Sequence, residues 1–478
     1  MIGYIVLGIV ILFIIFILFR TLSFKPYKEE IRPYEEVKID EEKIISNLQA
    51  LVKCKTVSNY DKSLEDDKEF EKLISLLPKL YPNVFKVCEY TEFSKRALLF
   101  KWKGKDSTKN PAIMMAHFDV VPVDEENWDK PPFDGVIENN VLWGRGTLDT
   151  KVTFNGVLSA ADKLIEEGFT PEADMYFAFS GQEEINGHEA NDIVTWFEER
   201  KIEPEIVVDE GGAVVQDVFP GVKEPCGLIG IAEKGMMNLK FTGISQGGHA
   251  SAPKPHTPIV ELSRACTKIE DNPFKYHLTK PVAEMFDTLG RHSTFVYRMI
   301  FANLWIFKGV LNMICKKSGG EMNALMRTTV AFTMSEGSKA PNVIPPSASI
   351  TANLRLNPED TIDSALSYIK KTVNNENIKY EVLVGENPSR ISRTDVIGWE
   401  RVKHAVSDTW RGSLVSPYLM VQCADCRHYG RISDRVYRFS AMDLSSEERS
   451  LIHGNNERIR FDCARRAVEF YVRLMKEC

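Results

Sequence analysis

Ala112-Ile113-Met114-Met115-Ala116-His117-Phe118-Asp119 is an apolar run that closes on two polar residues. Apolar residues without alternation predict a strand over Ala112–Ala116 that is buried on both faces. If the strand continues to Asp119, its period of two puts His117 and Asp119 on one side and Phe118 on the other. Asp119 could then accept the proton of whichever imidazole nitrogen does not meet a metal, fixing the tautomer. A lone histidine is usually structural. One that ends a buried strand stands where an open α/β sheet collects its ligands.

Outward from this run, short apolar segments alternate with helical patterns: strands at Ala97–Trp102, Met175–Ser180 and Ile206–Val208, helices at Val152–Glu167 and Glu189–Glu199. That alternation predicts an α/β sheet wrapped by helices. Residues 233–385 read differently. Strand Met237–Phe241, helix Pro258–Ile269, strands Thr328–Thr333 and Ser349–Leu356, helix Thr361–Thr372 and strand Tyr380–Val384 follow the split βαβ order of a ferredoxin-like domain. The α/β pattern then resumes and ends in a helix with Phe461, Ala464, Val468, Tyr471 and Met475 on one stripe. The expected organisation is a catalytic domain in two parts, 41–232 and 386–478, interrupted by an inserted α+β domain over 233–385.

Four further places put a metal-ligand residue type directly after a strand or before a helix. They are Gly144-Arg145-Gly146-Thr147-Leu148-Asp149-Thr150-Lys151, Gly181-Gln182-Glu183-Glu184, Val208-Asp209-Glu210-Gly211-Gly212 and Ile452-His453-Gly454-Asn455-Asn456-Glu457. Asp149 could be merely a helix cap, and Glu183-Glu184 on a surface would mean nothing. In a dry site two adjacent carboxylates repel unless a cation separates their roles, which suggests one ligand and one base. Each place alone is more often structural; their recurrence is the signal. Two histidines with three carboxylates suit a pair of Zn²⁺ ions. Two cations ~3.5–4 Å apart could lower the pKa of a water between them.

In wording and order these motifs resemble the zinc peptidase family of aminoacylase, succinyl-diaminopimelate desuccinylase and glutamate carboxypeptidase, peptidase family M20. The stretches carrying the resemblance are His117-Phe118-Asp119-Val120-Val121-Pro122, Gly144-Arg145-Gly146-Thr147-Leu148-Asp149 and Asn342-Val343-Ile344-Pro345-Pro346. They are most similar to the branch of carboxypeptidase S and the secreted N-acyl-amino-acid synthase/hydrolase, over about Glu41 to the C-terminus. The resemblance implies that His117, Asp149 and Asp209 hold one zinc, and Asp149, Glu184 and His453 the other, with Co²⁺ or Mn²⁺ as substitutes. Asp149 would bridge and be followed by a cis peptide bond. Glu183 would be the general base, and Asp119 would orient His117. The inserted domain would act as a lid or dimerisation domain whose His249, in Gly247-Gly248-His249-Ala250-Ser251, stabilises the oxyanion. Asn342 and Arg355 would clamp a substrate carboxylate, with Asp425 and Arg427 as a weaker match to a late substrate loop. Asn353 and Gln182 depart from the family's commoner Asp at those places.

The chain ends add context. Residues 2–19 carry no charge and stop at Arg20, enough apolar length to reach the lower limit for a spanning helix. A signal peptide would open with a basic residue and close on small ones, and Met1-Ile2-Gly3 and Leu18-Phe19-Arg20 do neither. The expectation is a retained single-span anchor over 1–20 and a linker over 21–40 that stands the body off the membrane. Arg20, Lys25, Lys28 and Arg32 after the span would hold the body in the cytoplasm by the positive-inside bias. The side of the membrane stays open. Nine cysteines, an odd number, suggest no disulfide framework, and Cys423-Ala424-Asp425-Cys426 has no second pair to make a zinc knuckle. Residues 295–314 are nearly apolar but hold Arg298, Asn303, Lys308 and Asn312, so they are expected as an amphipathic hairpin within the lid, with membrane contact as the alternative.

The composition of the 478 residues excludes wholesale disorder, being 44% hydrophobic and 27% charged, and a net charge of −7 argues against a nucleic-acid partner. The expected function is a dizinc hydrolase. It would cleave an amide next to a free carboxylate, in short peptides or N-acyl amino acids. The rivals are an inactive anchored binding relative, a serine hydrolase using Ser180 without the Gly-x-Ser-x-Gly elbow, and a single-metal enzyme. A homodimer through the inserted domain is a further expectation.

Overall fold

Eight strands form one mixed sheet in a computed structural model of the chain, which describes residues 1–28, 32–94, 96–217 and 219–478. From edge to edge they run Glu89–Ser94, Ala97–Trp102, Met175–Ser180, Ala112–His117, Ile206–Val215, Val436–Leu444, Cys226–Glu233 and Leu414–Met420. The four from Met175–Ser180 to Val436–Leu444 are mutually parallel, so their C-terminal ends open on one side. Ala112–His117 and Met175–Ser180 are buried throughout, which is why the sequence shows apolar runs there and no alternation.

Helix Lys151–Glu166 lies on this sheet through Phe154, whose ring meets Phe118 at 5.6 Å and Phe179 at 4.6 Å between centroids. The C-terminal helix Phe461–Glu477 packs against the same helix at Gly156, where an added Cβ would stand 3.2 Å from the Tyr471 ring. One strand differs from its expected length. Ile206–Val208 was the apolar part, but the strand runs on through Asp209 and Glu210 to Val215. The two carboxylates therefore lie within a strand, at a bulge where the pairing with Val436–Leu444 skips from Asp209 to Gly212.

A second sheet is antiparallel, in the order Thr329–Glu336, Ser347–Leu356, Gly235–Ile244, Ile378–Glu386. Helices Pro258–Asp271 and Ile362–Val373 complete the split βαβ order. It has its own core, built on Met237, Leu239, Phe241, Leu262, Leu354 and Ile369. The segment between its first helix and second strand does not stay with it. Val282, Met285, Phe286 and Leu289 of helix Lys280–His292 belong to the core of the large sheet.

The hairpin expected within the lid forms, as helices Phe295–Ala302 and Leu304–Ser318 bent by 113°. It packs instead against the N-terminal helix Ile2–Ser23, because Trp305 seats edge-on between Phe13 and Phe16 and the Arg20 guanidinium donates to the Ala302 carbonyl at 2.9 Å. Among the described residues, Ile2–Ser23 is the one unbent helix long and apolar enough to cross a membrane. Residues 32–35 of the expected linker are held against the body. Arg32 pairs with Glu477 at 2.7 Å and Asp408 at 3.1 Å, and Arg473 donates to the Glu35 carbonyl, so the segment lies along the C-terminal helix. All nine cysteines are free thiols.

Candidate metal centre

Five side chains meet where the parallel strands end. His117 is the last residue of its strand, and Asp149 precedes helix Lys151–Glu166 across a cis peptide bond to Thr150. Glu184 sits in the 3-10 turn Glu183–Ile185 after strand Met175–Ser180. Glu210 comes from strand Ile206–Val215, and His453 projects from a turn at φ 59°. The Asp149 carboxylate divides them into two groups. Its Oδ1 lies 3.0 Å from His117 Nε2, which lies 3.2 Å from Glu210 Oε1. Its Oδ2 lies 3.1 Å from His453 Nε2, which lies 3.0 Å from Glu184 Oε2. Ligand atoms ~2.1 Å from a tetrahedral Zn²⁺ are about 3.4 Å apart, so each group has the dimensions of a cation site sharing Asp149.

Asp209 does not join them. Its Oδ1 accepts the Glu210 N–H at 2.9 Å and its Oδ2 accepts the Cys426 N–H at 2.9 Å. The expectation that Asp209 faces the His117 group is therefore corrected to Glu210. The strand is bulged just past Asp209, a feature that re-aims side chains, and Glu210 is the one that reaches His117. Glu183, Glu210 and His117 also present atoms within 4.8 Å of one another, so Glu183 borders the same space.

The electrostatics test whether cations fit. Burial, and after it the Asp149 charge, pushes the carboxyl of Glu184 up to about 7. Burial, with Asp149 again adding to it, pushes Glu210 up to about 7, and burial with Asp425 pushes Asp209 up to about 6. Burial also raises Glu183 well above the carboxylate range. His453, hydrogen-bonded to Asp149 and Glu184, is pushed up to about 10. Several carboxylates confined this closely repel one another unless positive charge separates them. Glu184 Oε1 is buried and has no hydrogen-bond partner among the described residues. An orphaned carboxylate oxygen facing a group of nitrogen and oxygen donors is what a divalent cation would satisfy.

Surrounding groups hold the candidate ligands in place. Asp119 is fully buried, lies 3.3 Å from His117 Nδ1, and accepts the N–H groups of Glu183 and Glu184 at 3.2 Å each and the Ser58 hydroxyl at 2.7 Å. With Nδ1–H directed at Asp119, Nε2 of His117 keeps its lone pair. Glu457 does the equivalent for the Asp149 loop. It takes the Arg145 guanidinium at 2.7 Å, the N–H of Gly146 at 3.1 Å, that of Leu148 at 2.7 Å and that of Asp149 at 3.3 Å. Ser58 lies outside every motif read from the sequence, and Glu457 closes the stretch Ile452–Glu457 with no role of its own expected there. Glu457 lies four residues past His453, but no spacing signals a carboxylate that caps a loop 308 positions away.

The expected substrate residues separate into two sets. Arg355 Nη1 approaches Cys423 Sγ at 3.5 Å, and Arg427 Nη2 donates to Asn186 Oδ1 at 2.9 Å, just past Glu184, so both arginines border the turn 423–427. Arg427 also pairs with Glu386 at 3.2 Å and its side chain is 6% exposed, yet its Nη1 has no hydrogen-bond partner among the described residues. Asp425 turns inward, accepting the Ser180 hydroxyl, and is buried. His249 and Asn342 lie on an exposed two-stranded ribbon where the Ala250 N–H donates to the Asn342 carbonyl. His249 bonds Ser251 at 2.7 Å. Among the described residues, His249 has no hydrogen bond or ion pair to the five ligand candidates.

The sequence profile of Peptidase family M20/M25/M40 matches residues 113–477. The chain is a member of this family. It is 32% identical over 442 residues to the N-fatty-acyl-amino acid synthase/hydrolase PM20D1 of Xenopus tropicalis, covering 91% of this chain and 86% of that one. It is 31% identical over 430 residues to the probable carboxypeptidase S-like 2 of Dictyostelium discoideum, covering 88% and 82%. Among solved structures, the M20 family metallo-carboxypeptidase Sso-CP2 from Sulfolobus solfataricus superimposes with a TM-score of 0.65 at 18% identity, covering 92% of this chain and 99% of that one. The chain is thus an M20-family hydrolase with a mixed central sheet, and its five clustered side chains fall within the matched residues.

Proposed function

We propose that this chain is a dizinc hydrolase that cleaves an amide next to a free carboxylate, in short peptides or N-acyl amino acids. The observation that carries it is the division of the Asp149 oxygens between the His117–Glu210 and His453–Glu184 groups. Divalent cations bound there would polarise the amide carbonyl and acidify a water. Glu183, at the edge of the His117 group, takes a proton from the attacking water as the oxygen–carbon bond forms. It returns that proton to the amine nitrogen as the carbon–nitrogen bond breaks. Arg427, with an unpartnered buried donor, and Arg355 beside it are placed to hold the free carboxylate bidentately. His249 would reach the carbonyl oxygen through closure of the four-stranded domain, as a donor to developing negative charge.

The inserted domain also offers a pairing edge. Thr329–Glu336 is an edge strand with Phe332 and Met334 exposed, which supports a homodimer through this sheet. The N-terminal helix is read as a retained anchor. Thr21 and Asn303 are buried against each other and joined by a 3.2 Å hydrogen bond, a contact a cleaved leader would forfeit.

The test is hydrolysis by the full chain in detergent, with dipeptides and long-chain N-acyl amino acids as separate substrates, with and without Zn²⁺ and after a chelator. Zinc-dependent release of a free amino acid from either class is the expected result. Turnover that survives complete chelation would overturn the reading and favour a serine nucleophile.

A further inference from the structure

Helix Leu304–Ser318 carries two apolar stripes. Leu304 and Leu311 pack onto the main core, and Cys315 on the same stripe is buried. Trp305, Ile306, Val310, Met313 and Ile314 recur at helical spacing on the other side and are exposed, Met313 to 63%. Phe295 and Val296 of the preceding helix add to this surface. A single exposed large residue is ordinary, but a continuous stripe of them marks a contact surface.

What covers it follows from its neighbour. The stripe is continuous with the N-terminal helix, since Trp305 meets Phe13 at 6.0 Å and Phe16 at 6.3 Å. Phe13 precedes Arg20 by seven residues, about 10 Å along the helix axis at 1.5 Å per residue. If Arg20 marks the edge of the hydrocarbon, Trp305 lies below that edge, inside the apolar layer. Helix Leu304–Ser318 has 15 residues and is bent by 113° from its partner, too short and too angled to span. Lys308, Lys316 and Lys317 are exposed on it, and such side chains can extend their ammonium groups to a headgroup layer. An apolar face with lysines at its margins, lying in the plane of the interface, is how a helix docks on an anionic bilayer.

We propose that the hairpin 295–318 is a second membrane-docking element, lying in the bilayer boundary beside the anchor and holding the catalytic body against the surface. This rests on the reading of Ile2–Ser23 as a span, and the two can be tested apart.

The experiment reconstitutes the full chain in vesicles of phosphatidylcholine and phosphatidylserine, with and without acyl-brominated lipid. Tryptophan quenching is compared with the conservative variant Trp305→Phe, and the vesicles are then washed in alkaline carbonate. The expected result is that the chain stays with the vesicles and that most lipid-dependent quenching is lost in the variant. Retention with equal quenching in both chains would overturn the hairpin proposal and leave the anchor. Trp305-dependent quenching with release into carbonate would uphold the hairpin and overturn the anchor. Release with no such quenching would overturn both. Retention without quenching, together with Val310→Cys cross-linking between chains, would assign the stripe to a second copy and overturn the proposal.

Discussion

Glu183 and Glu184 are neighbours with opposite assignments, and substitution separates them. In Glu183→Gln the ligand set is intact, so metal content should match the wild type while turnover falls by about 10²–10⁴-fold, the range for loss of a general base. A variant with normal turnover would remove Glu183 from the chemistry. The pair Asp209 and Glu210 is tested in the same way. Glu210→Gln should bind one Zn²⁺ fewer per chain, whereas Asp209→Asn should keep both, because its oxygens serve backbone N–H groups. The reverse pattern in metal analysis would restore Asp209 as the ligand. The gathering of His117, Asp149, Glu184 and His453 in one place was legible in the sequence because each follows an apolar strand or precedes a helix. Asp209 and Glu210 were not separable in this way. A strand that continues past its apolar part gives no mark of where it ends, and one residue of register exchanges the two faces.

Among the elements, helix Lys151–Glu166 does most to place the site, since Asp149 precedes its first turn and Phe154 seats it against Phe118 and Phe179. Phe154→Ala would leave a cavity in that contact and should cost about 3–5 kcal/mol, read as a lower thermal midpoint with unchanged secondary structure. The loop before the helix depends on Glu457, which is buried with Arg145. Glu457→Ala would strand that guanidinium at a cost of about 3–5 kcal/mol. Because the loop carries Asp149, zinc affinity should fall along with the denaturation midpoint. Unchanged zinc affinity would show that the loop holds its shape without Glu457. Strands and helices of the α/β pattern were legible because their runs and stripes are long. The packing of helix Lys280–His292 on the large sheet was not, because an apolar stripe specifies burial without specifying a partner.

At the scale of the whole molecule, two sheets with separate cores are joined to a helix apolar enough to cross a membrane. The interruption of one α/β pattern by a split βαβ order was readable from the order of elements alone. The course of residues 32–35 along the C-terminal helix was not, because it depends on Arg32, Arg411 and Arg473 meeting partners hundreds of positions away. In the proposed dizinc site one carboxylate, Asp149, would serve two cations at once. The direct measurement is the zinc content of the purified full chain after equilibrium dialysis, beside Asp149→Asn. Two zinc ions per wild-type chain, with both sites weakened by the one substitution, is the predicted result. One ion or none in the wild type, or a variant that loses a single site and binds the other unchanged, would contradict it.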